Sequence, residues 1–316
     1  MTTLTRNETA EFLLSHDRYC ILTHRRPDGD TIGSAAALCL CLRKLGKTAH
    51  ILQNPEVTDR FSWLHQGLTK EKAEENDTVV TVDVASPSML PKAFEHLLGR
   101  IPLRIDHHGS AVSFTDYELV DPAAGACAEI IYDLITAMGC EMDSRMADAV
   151  YVGTSTDTGC FRFANTTAHT FQTAAACAAA GARVYGLNQV LFETNTLGRL
   201  RMQGWIVDHL RVFDSGRLAI VAIPRAVEEQ IGVTSDDMDN ISSFPRTVAG
   251  VCMAATLRET KEGDVKLSVR AIPGYDATAI TAQFGGGGHK GAAGATIHLP
   301  LEEAAKAVET AMLALN

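Results

Sequence analysis

Three short apolar runs in the first third of the chain each stop at a cluster of ionisable residues, and helical patterns separate them. "YCILTH" leads into "RRPDGD" and brings His24, Asp28 and Asp30; "DTVVTVDVA" carries Asp83; "IPLRIDHHG" ends on Asp106, His107 and His108. Runs rich in Val, Ile and Thr are strand material, and strands alternating with helices of good formers make βα units around a parallel sheet. "TIGSAAALCLCLRKLG" is predicted as one such helix, closed by Gly46, and "SRMADAVYVGTSTDTG" as another, running from Ser144 to a polar stop near Asp157. The expected fold class is therefore α/β, with an N-terminal, mostly parallel sheet flanked by helices. In an open α/β sheet the carboxyl ends of the strands face one crevice. Residues far apart in sequence then converge, and Asp157 can join them.

That convergence has a chemical consequence. Four aspartates and several histidines in one cleft repel and desolvate one another unless cations neutralise them. Histidine plus carboxylate without thiolate suits a first-row divalent ion such as Mn²⁺, with Mg²⁺ and Co²⁺ as alternatives. Two ions are expected; about 3.5–4 Å apart, such a pair lowers the pKa of a water between them and stabilises charge on the attacking and leaving oxygens of a phosphoryl group. Taken singly, Asp28, Asp30 or Asp83 reads more readily as a turn or helix cap than as a ligand. His16, His50, His65, His96 and His169 lack the strand-end context and read as surface or satisfied histidines.

Around "YGLNQVLFETNTLGRLRMQGWIVDHL" the pattern changes to one or two helices rich in charged and amide residues, followed by the β-type segments "RLAIVAIP" and "DVKLSVRA". The expected division is a first domain over 1–187, a helical linker over 188–210 and a smaller α/β domain over 211–316. The last carries "FGGGGHKGAAGATIHL", read as a glycine loop, a helix start and a strand. Glycine lets backbone N–H groups approach an anion, and a helix start adds a favourable dipole. His289 and Lys290 bring cations to the same place. Arg270 in "KLSVRA" is either a bidentate phosphate ligand or a solvated outer-face residue.

Composition sets outer limits. A net charge of −10 over 316 residues argues against the broad basic face that long duplex DNA requires, and leaves room for a small phosphorylated ligand held by local cations. The eight cysteines (Cys20, Cys39, Cys41, Cys127, Cys140, Cys160, Cys177 and Cys252) form no CxxC pair and read as reduced core residues. "FQTAAACAAAGA" is too short to span a bilayer, and the first twenty residues read as an amphipathic helix with a Thr5/Glu8 capping box, not a secretion signal. A cytoplasmic location without membrane association is expected.

The motifs together resemble the DHH phosphoesterases, in the branch with a C-terminal DHHA1 domain that includes the RecJ-like exonucleases and the short nanoRNA and phosphoadenosine phosphate phosphatases. "THRRPDGDTIGSAAAL", "VTVDVA", "IDHHGS" and "GTSTDTGCFRF" are similar to the family's four catalytic-domain motifs, and "FGGGGHKGAAGA" to the DHHA1 signature. The resemblance implies one metal on His24, Asp28 and Asp83 and a second on Asp30, Asp83, His107 and Asp157, with Asp83 bridging. It implies that His108 faces the substrate phosphate, that Asp106 supports the histidines, and that Arg270, His289 and the backbone of Gly286, Gly287 and Gly288 grip a terminal phosphate. The active site would lie in the cleft between the two domains. The expected substrates are short 5′-phosphorylated oligoribonucleotides, cut to mononucleotides, with 3′-phosphoadenosine 5′-phosphate as a second. A linear or cyclic dinucleotide is a close variant. An aromatic content of 6% disfavours a long single-strand stacking platform and hence a RecJ-like exonuclease. A pyrophosphatase, or a nucleotide-binding sensor without turnover, is the remaining alternative. A homodimer is implied by the family alone.

Overall fold

The computed structural model of the chain describes residues 2–109, 112–238 and 240–315; Ser110, the last residue of "IDHHGS", lies outside them. The chain divides into two compact units, Met1–Thr194 and Asn195–Asn316. Among the described residues no helix is long and apolar enough to cross a membrane.

Unit 1 is built on seven strands: β1 (Thr2–Thr3), β2 (Tyr19–Leu22), β3 (Ala49–Leu52), β4 (Thr69–Lys70), β5 (Thr78–Val82), β6 (Leu103–Asp106) and β7 (Tyr117–Val120). They pair in parallel in the order β1-β7-β6-β5-β2-β3-β4. The chain winds outward from β2 through β3 and β4, then returns to the other side of β2 as β5 and continues through β6 to β7. The winding direction thus reverses between β2 and β5, and the carboxyl ends of these two strands flank the place where ligands bind in such sheets.

The helices of this unit are α1 (Arg6–Ser15), α2 (Gly29–Lys44), α3 (Asp59–Ser62), α4 (Cys127–Ala137), α5 (Ser144–Asp157), α6 (Ala168–Ala179) and α7 (Val184–Asn188). Alternation along each strand separates two cores. Tyr19, Ile21, Val80, Val82, Leu103 and Ile105 meet apolar residues of α1, α2, α4 and α5. Cys20, Leu22, Leu52 and Val79 face the opposite side, where Leu90, Phe94, Leu97 and Ile101 cover them. The expected Thr5/Glu8 capping box starts α1: the Thr5 N–H donates to Glu8 Oε2 at 2.8 Å, and the Glu8 N–H to Thr5 Oγ1 at 3.3 Å.

Helix α2 begins two residues before the expected Thr31, because Asp28 is its N-cap, its Oδ1 accepting from the N–H groups of Asp30 and Thr31 at 3.0 and 3.1 Å. It is buried along nearly its whole length and crosses α5 at unusually close range. A Cβ on Gly33 would lie 2.4 Å from the Ala149 carbonyl oxygen, and one on Gly153 would lie 2.8 Å from Asp30 Oδ1. These two glycines let the helices that carry Asp28, Asp30 and Asp157 touch backbone to backbone.

Unit 2 has the sheet order β12-β13-β11-β10-β9-β8, with β8 (Arg211–Phe213), β9 (Leu218–Ile223), β10 (Met253–Glu259), β11 (Val265–Ala271), β12 (Gly287–His289) and β13 (Ala292–Ile297). Its helices are α8 (Leu197–His209), α9 (Arg225–Ile231), α10 (Ala277–Thr281) and α11 (Leu301–Leu313). Met202 and Ile206 of α8 pack with Val221 and Ile223 of β9, while Val308 and Met312 of α11 pack with Leu267 and Val269 of β11. The helix start expected behind the glycine run is not there. Gly287–His289 pair instead with Ala292–Gly294 as antiparallel strands. A side chain at Gly286 would strike the Gly294 carbonyl oxygen at 2.2 Å, and Gly288, at φ +143°, has no room for one beside Ala292. Bare backbone lets the two strands lie against each other where a helix start was expected.

Replacing Gly33 with Ala should separate α2 from α5 and lower the unfolding free energy by about 1–3 kcal/mol, the usual cost of overpacking. Urea denaturation checks it; an unchanged midpoint would mean that the helices have slack at the crossing.

Candidate metal centre

Past the end of β2, the ring of His24 is held from behind. Its Nδ1 donates to the Arg25 carbonyl at 2.8 Å, and its own backbone carbonyl accepts from the buried amide of Asn54 at 2.9 Å. A carbonyl oxygen can only accept, so Nδ1 carries a proton and Nε2 of the neutral ring presents a lone pair. That nitrogen stands 3.6 Å from Asp28 Oδ1 and 3.5 Å from Asp83 Oδ2. His107, past the end of β6, repeats the arrangement. Its Nδ1 meets the Ala124 carbonyl at 3.3 Å, and its Nε2 lies 3.5, 3.6 and 3.8 Å from Asp83 Oδ1, Asp157 Oδ2 and Asp30 Oδ2.

Asp83 belongs to both groups, with one carboxylate oxygen toward each histidine. It follows β5 directly, is 2% exposed, and its Oδ1 has no hydrogen-bond partner. Its φ of +59° is a left-handed backbone that a non-glycine residue adopts only at a cost. Arg26, between His24 and Asp28, and Cys160 and Phe161, just after Asp157, are left-handed too. Strained backbone thus gathers on the loops around this cluster.

Asp30, in the first turn of α2, is 1% exposed and accepts the backbone N–H groups of Cys127 and Ala128 at 2.7 and 2.9 Å, so it caps α4 while its carboxylate faces His107. Asp28 caps its own helix. The cap reading and the cluster reading of these residues are therefore both realised at once. Asp157 ends α5, and Asn165 donates to its backbone carbonyl at 3.2 Å.

Burial makes the cluster electrostatically expensive. Burial first, then the charges of Asp83 and Asp157, push the Asp30 carboxyl well above the usual carboxylate range. Burial, aided by Asp83 and Asp28 and opposed by His107, pushes Asp157 up to about 7. For His107 burial opposes the charged form, but Asp30, Asp83 and Asp157 outweigh it and hold the ring at about 9. Protons are drawn in to do what a cation would do.

The residues fit a metal. Ligands about 2.1 Å from one ion stand roughly 3–4 Å apart, the spacing seen here and too long for hydrogen bonds. Donor atoms of His24, Asp28 and Asp83 lie within 4.8 Å of one another, as do those of Asp30, His107 and Asp157. With an ion in place both imidazoles would be neutral and turn Nε2 lone pairs toward it, the tautomer fixed by the backbone carbonyls behind them, as metal-binding histidines require.

His108 is placed differently. Its Nδ1 meets Asp106 Oδ1 at 2.8 Å, and that oxygen also accepts the backbone N–H groups of His107 and His108 at 2.8 and 3.2 Å. Asp106 is the main reason that the His108 ring is raised above its ordinary value. Nε2 is left for a ligand, on a side chain that is 28% exposed.

In unit 2, Arg270 and His289 both stand opposite Ala292, from β11 and β12 on either side of β13. Cross-strand partners share a face, so the two basic side chains flank one alanine. Arg270 is half-buried; its Nη1 donates to the Val269 carbonyl at 3.2 Å, and burial pulls its basicity below the usual value.

Three supporting residues lay outside the sequence reading: Asn54, Asn165 and Arg104. Arg104 is 1% exposed, donates to the carbonyls of Ala85 and Val112 at 3.3 and 2.9 Å, and pairs with Glu118, tying down the loops that follow Asp83 and His108. An arginine inside the apolar run "PLRID" was its signal.

Residues 18–154 match the DHH family, N-terminal domain, and residues 217–314 match the DHHA1 domain. A protein of Thermus thermophilus named bifunctional oligoribonuclease and PAP phosphatase NrnA is 34% identical over 287 residues, which cover 90% of this chain and 86% of the relative. The chain belongs to the DHH family. It is a phosphoesterase of the DHH/DHHA1 type, as its motifs implied. The same fold occurs in an exopolyphosphatase-related protein from Bacteroides fragilis, with a TM-score of 0.89, 22% identity and coverage of 97% of this chain and 94% of the other. It also occurs in RecJ of Thermus thermophilus in complex with Mn²⁺, with a TM-score of 0.60, 16% identity and coverage of 98% of this chain and 54% of RecJ.

Replacing Asp106 with Asn should lower the pH at which His108 loses its proton, since the negative partner of the imidazolium is gone. NMR titration of the chelator-treated protein checks it; an unmoved His108 would show that Asp106 does not set its charge.

Proposed function

We propose that the protein hydrolyses short 5′-phosphorylated oligoribonucleotides to mononucleotides and converts 3′-phosphoadenosine 5′-phosphate to AMP, using two divalent ions, Mn²⁺ first among them. What supports the reading is the two donor groups, His24/Asp28/Asp83 and Asp30/His107/Asp157, with Asp83 3.5 Å from both His24 and His107, together with the likeness to the Thermus thermophilus oligoribonuclease and PAP phosphatase. His24, Asp28 and Asp83 would hold one ion, and Asp30, Asp83, His107 and Asp157 the other. Bound there, the ions supply an acidified water and electrostatic stabilisation of the transferring phosphoryl group.

The chain's own residues do the rest. Arg25 and Ala124 carbonyls keep the two ligand histidines turned inward. Asp106 favours the charged form of His108, in which Nε2–H would donate to a non-bridging phosphate oxygen and offset the charge that grows there. In unit 2, Arg270 and His289 offer a second phosphate a fork and a single donor across Ala292, and the exposed backbone of Gly287 and Gly288, beside Gly286, keeps side chains out of the way. The half-burial of Arg270 supports the phosphate-ligand reading over the solvated outer-face one.

A time course with Mn²⁺ on a 5′-phosphorylated RNA dinucleotide, a 5′-phosphorylated pentanucleotide, a long single-stranded DNA, phosphoadenosine phosphate and pyrophosphate tests the substrate class. The short RNAs and phosphoadenosine phosphate should be consumed while the long strand persists; fastest loss of the long strand would place the activity with the exonucleases instead. Asp83→Ala should remove metal and at least nine-tenths of turnover, roughly the minimum for loss of a shared ligand in two-ion chemistry. Arg270→Ala should raise KM with metal content intact, and an unchanged KM would exclude the phosphate role.

A further inference from the structure

A second cluster of donor atoms lies at the other end of the unit 1 sheet. Cys20 on β2 and His50 on β3 are register partners, and Asp77 directly precedes β5, the other neighbour of β2. Cys20 pairs with Val79, two residues beyond Asp77, so all three side chains stand on the same face, near the amino-terminal ends of the strands. Four residues of strand separate Cys20 from His24, roughly 13 Å. The site is distinct from the carboxyl-end cluster.

The cluster is built and unfinished. Cys20 is fully buried, His50 is 1% exposed, and the Asp77 side chain is 2% exposed. Among the described residues neither ring nitrogen of His50 has a hydrogen-bond partner, so a residue expected to be surface or satisfied is buried and unsatisfied. Its Nε2 stands 3.6 Å from Asp77 Oδ2, beyond hydrogen-bond reach, and one donor atom from each of the three residues falls within 4.8 Å of the others. Asp77 has neighbours of its own: its Oδ2 accepts the Glu74 N–H at 2.7 Å, and its Oδ1 lies 3.8 Å from Arg18 Nη2. The basic side chains around the cluster also have other partners. Arg18 and Lys70 pair with Glu74, and Arg100 donates to the carbonyls of Glu74 and Glu75. Burial, opposed by Asp77, keeps His50 below its usual value and so favours the neutral ring.

We propose that Cys20, His50 and Asp77 bind a zinc ion that joins β2, β3 and β5 at the end of the sheet opposite the phosphoesterase centre. Thiolate, imidazole and carboxylate together match Zn²⁺, a borderline-soft ion content with S, N and O ligands and tetrahedral geometry, and water completes the fourth position. Charge balances: the thiol releases its proton, and one thiolate and one carboxylate neutralise the dication without drawing on surface residues. The two centres thereby differ in kind, since among the donor groups of the described residues this one includes a thiol. Its role is structural, pinning the strands whose far ends carry His24 and Asp83.

Co²⁺ alone is the probe, because sulfur ligation gives it a near-ultraviolet thiolate-to-metal charge-transfer band that oxygen and nitrogen ligands do not. Chelator-stripped full-length protein titrated with Co²⁺ should develop the band, and Cys20→Ser and His50→Gln should each abolish it while Asp83→Ala keeps it. X-ray absorption of the zinc-loaded protein should show one sulfur neighbour. Turnover of short RNA by Cys20→Ser, assayed with Mn²⁺, should stay within about twofold of wild type, because the residue touches no group at the carboxyl-end cluster. Absence of the band in the unaltered protein overturns the proposal. So does a band that survives in Cys20→Ser, which would assign the sulfur to another cysteine such as Cys127 beside Asp30.

Discussion

Everything in unit 1 is arranged around the need to bring positive charge to carboxylates that have been taken out of water. Asp30 and Asp83 are buried, Asp157 is largely so, and the groups that face them are histidines whose inner nitrogens are already committed to backbone carbonyls. A buried carboxylate without a partner is among the most expensive features a fold can carry. Here several are carried side by side at a fixed spacing, a cost that bound protons or cations can offset. The left-handed backbone of Asp83 points the same way, since strain of that kind persists where the surrounding structure and the ligand over-determine it.

The scaffold meets that demand through packing rather than through the loops alone. The winding reversal between β2 and β5 brings His24 and Asp83 to neighbouring strand ends. Gly33 and Gly153 let α2 and α5 close to backbone contact, which brings Asp30 and Asp157 to the same point from two helices. Asp30 then caps α4 with both oxygens, so the residue that faces His107 also positions the helix behind it. Asn54, Arg104 and Asn165 hold the strand-end loops by their carbonyls. Such supporting contacts decide whether a donor set is within half an ångström of use or merely present.

Much of this was legible in the residues. Strand-forming runs that end in His24, Asp83 and Asp106–His108 announced a parallel sheet with one functional edge, and α2 and α5 lie within two residues of their expected bounds. The reading of the glycine run as a loop leading into a helix failed, because consecutive glycines say only that side chains are excluded, not what excludes them. In the fold it is a neighbouring strand. His50 was misread for a related reason: a lone histidine in "TAHIL" shows nothing of its surroundings, and only strand pairing sets Cys20 and Asp77 beside it.

By itself the sequence determined residue chemistry and local periodicity: most of the strands and helices, and that carboxylate and imidazole side chains stand at the strand ends. Those follow from side-chain and backbone preferences acting over a few residues. Only the tertiary structure decided strand order, the close crossing of α2 with α5, the double duty of Asp30, the shared position of Asp83, and the meeting of Arg270 with His289 across Ala292. Each depends on contacts between residues tens of positions apart, and such contacts are settled by how whole faces pack, not by any stretch of chain read alone.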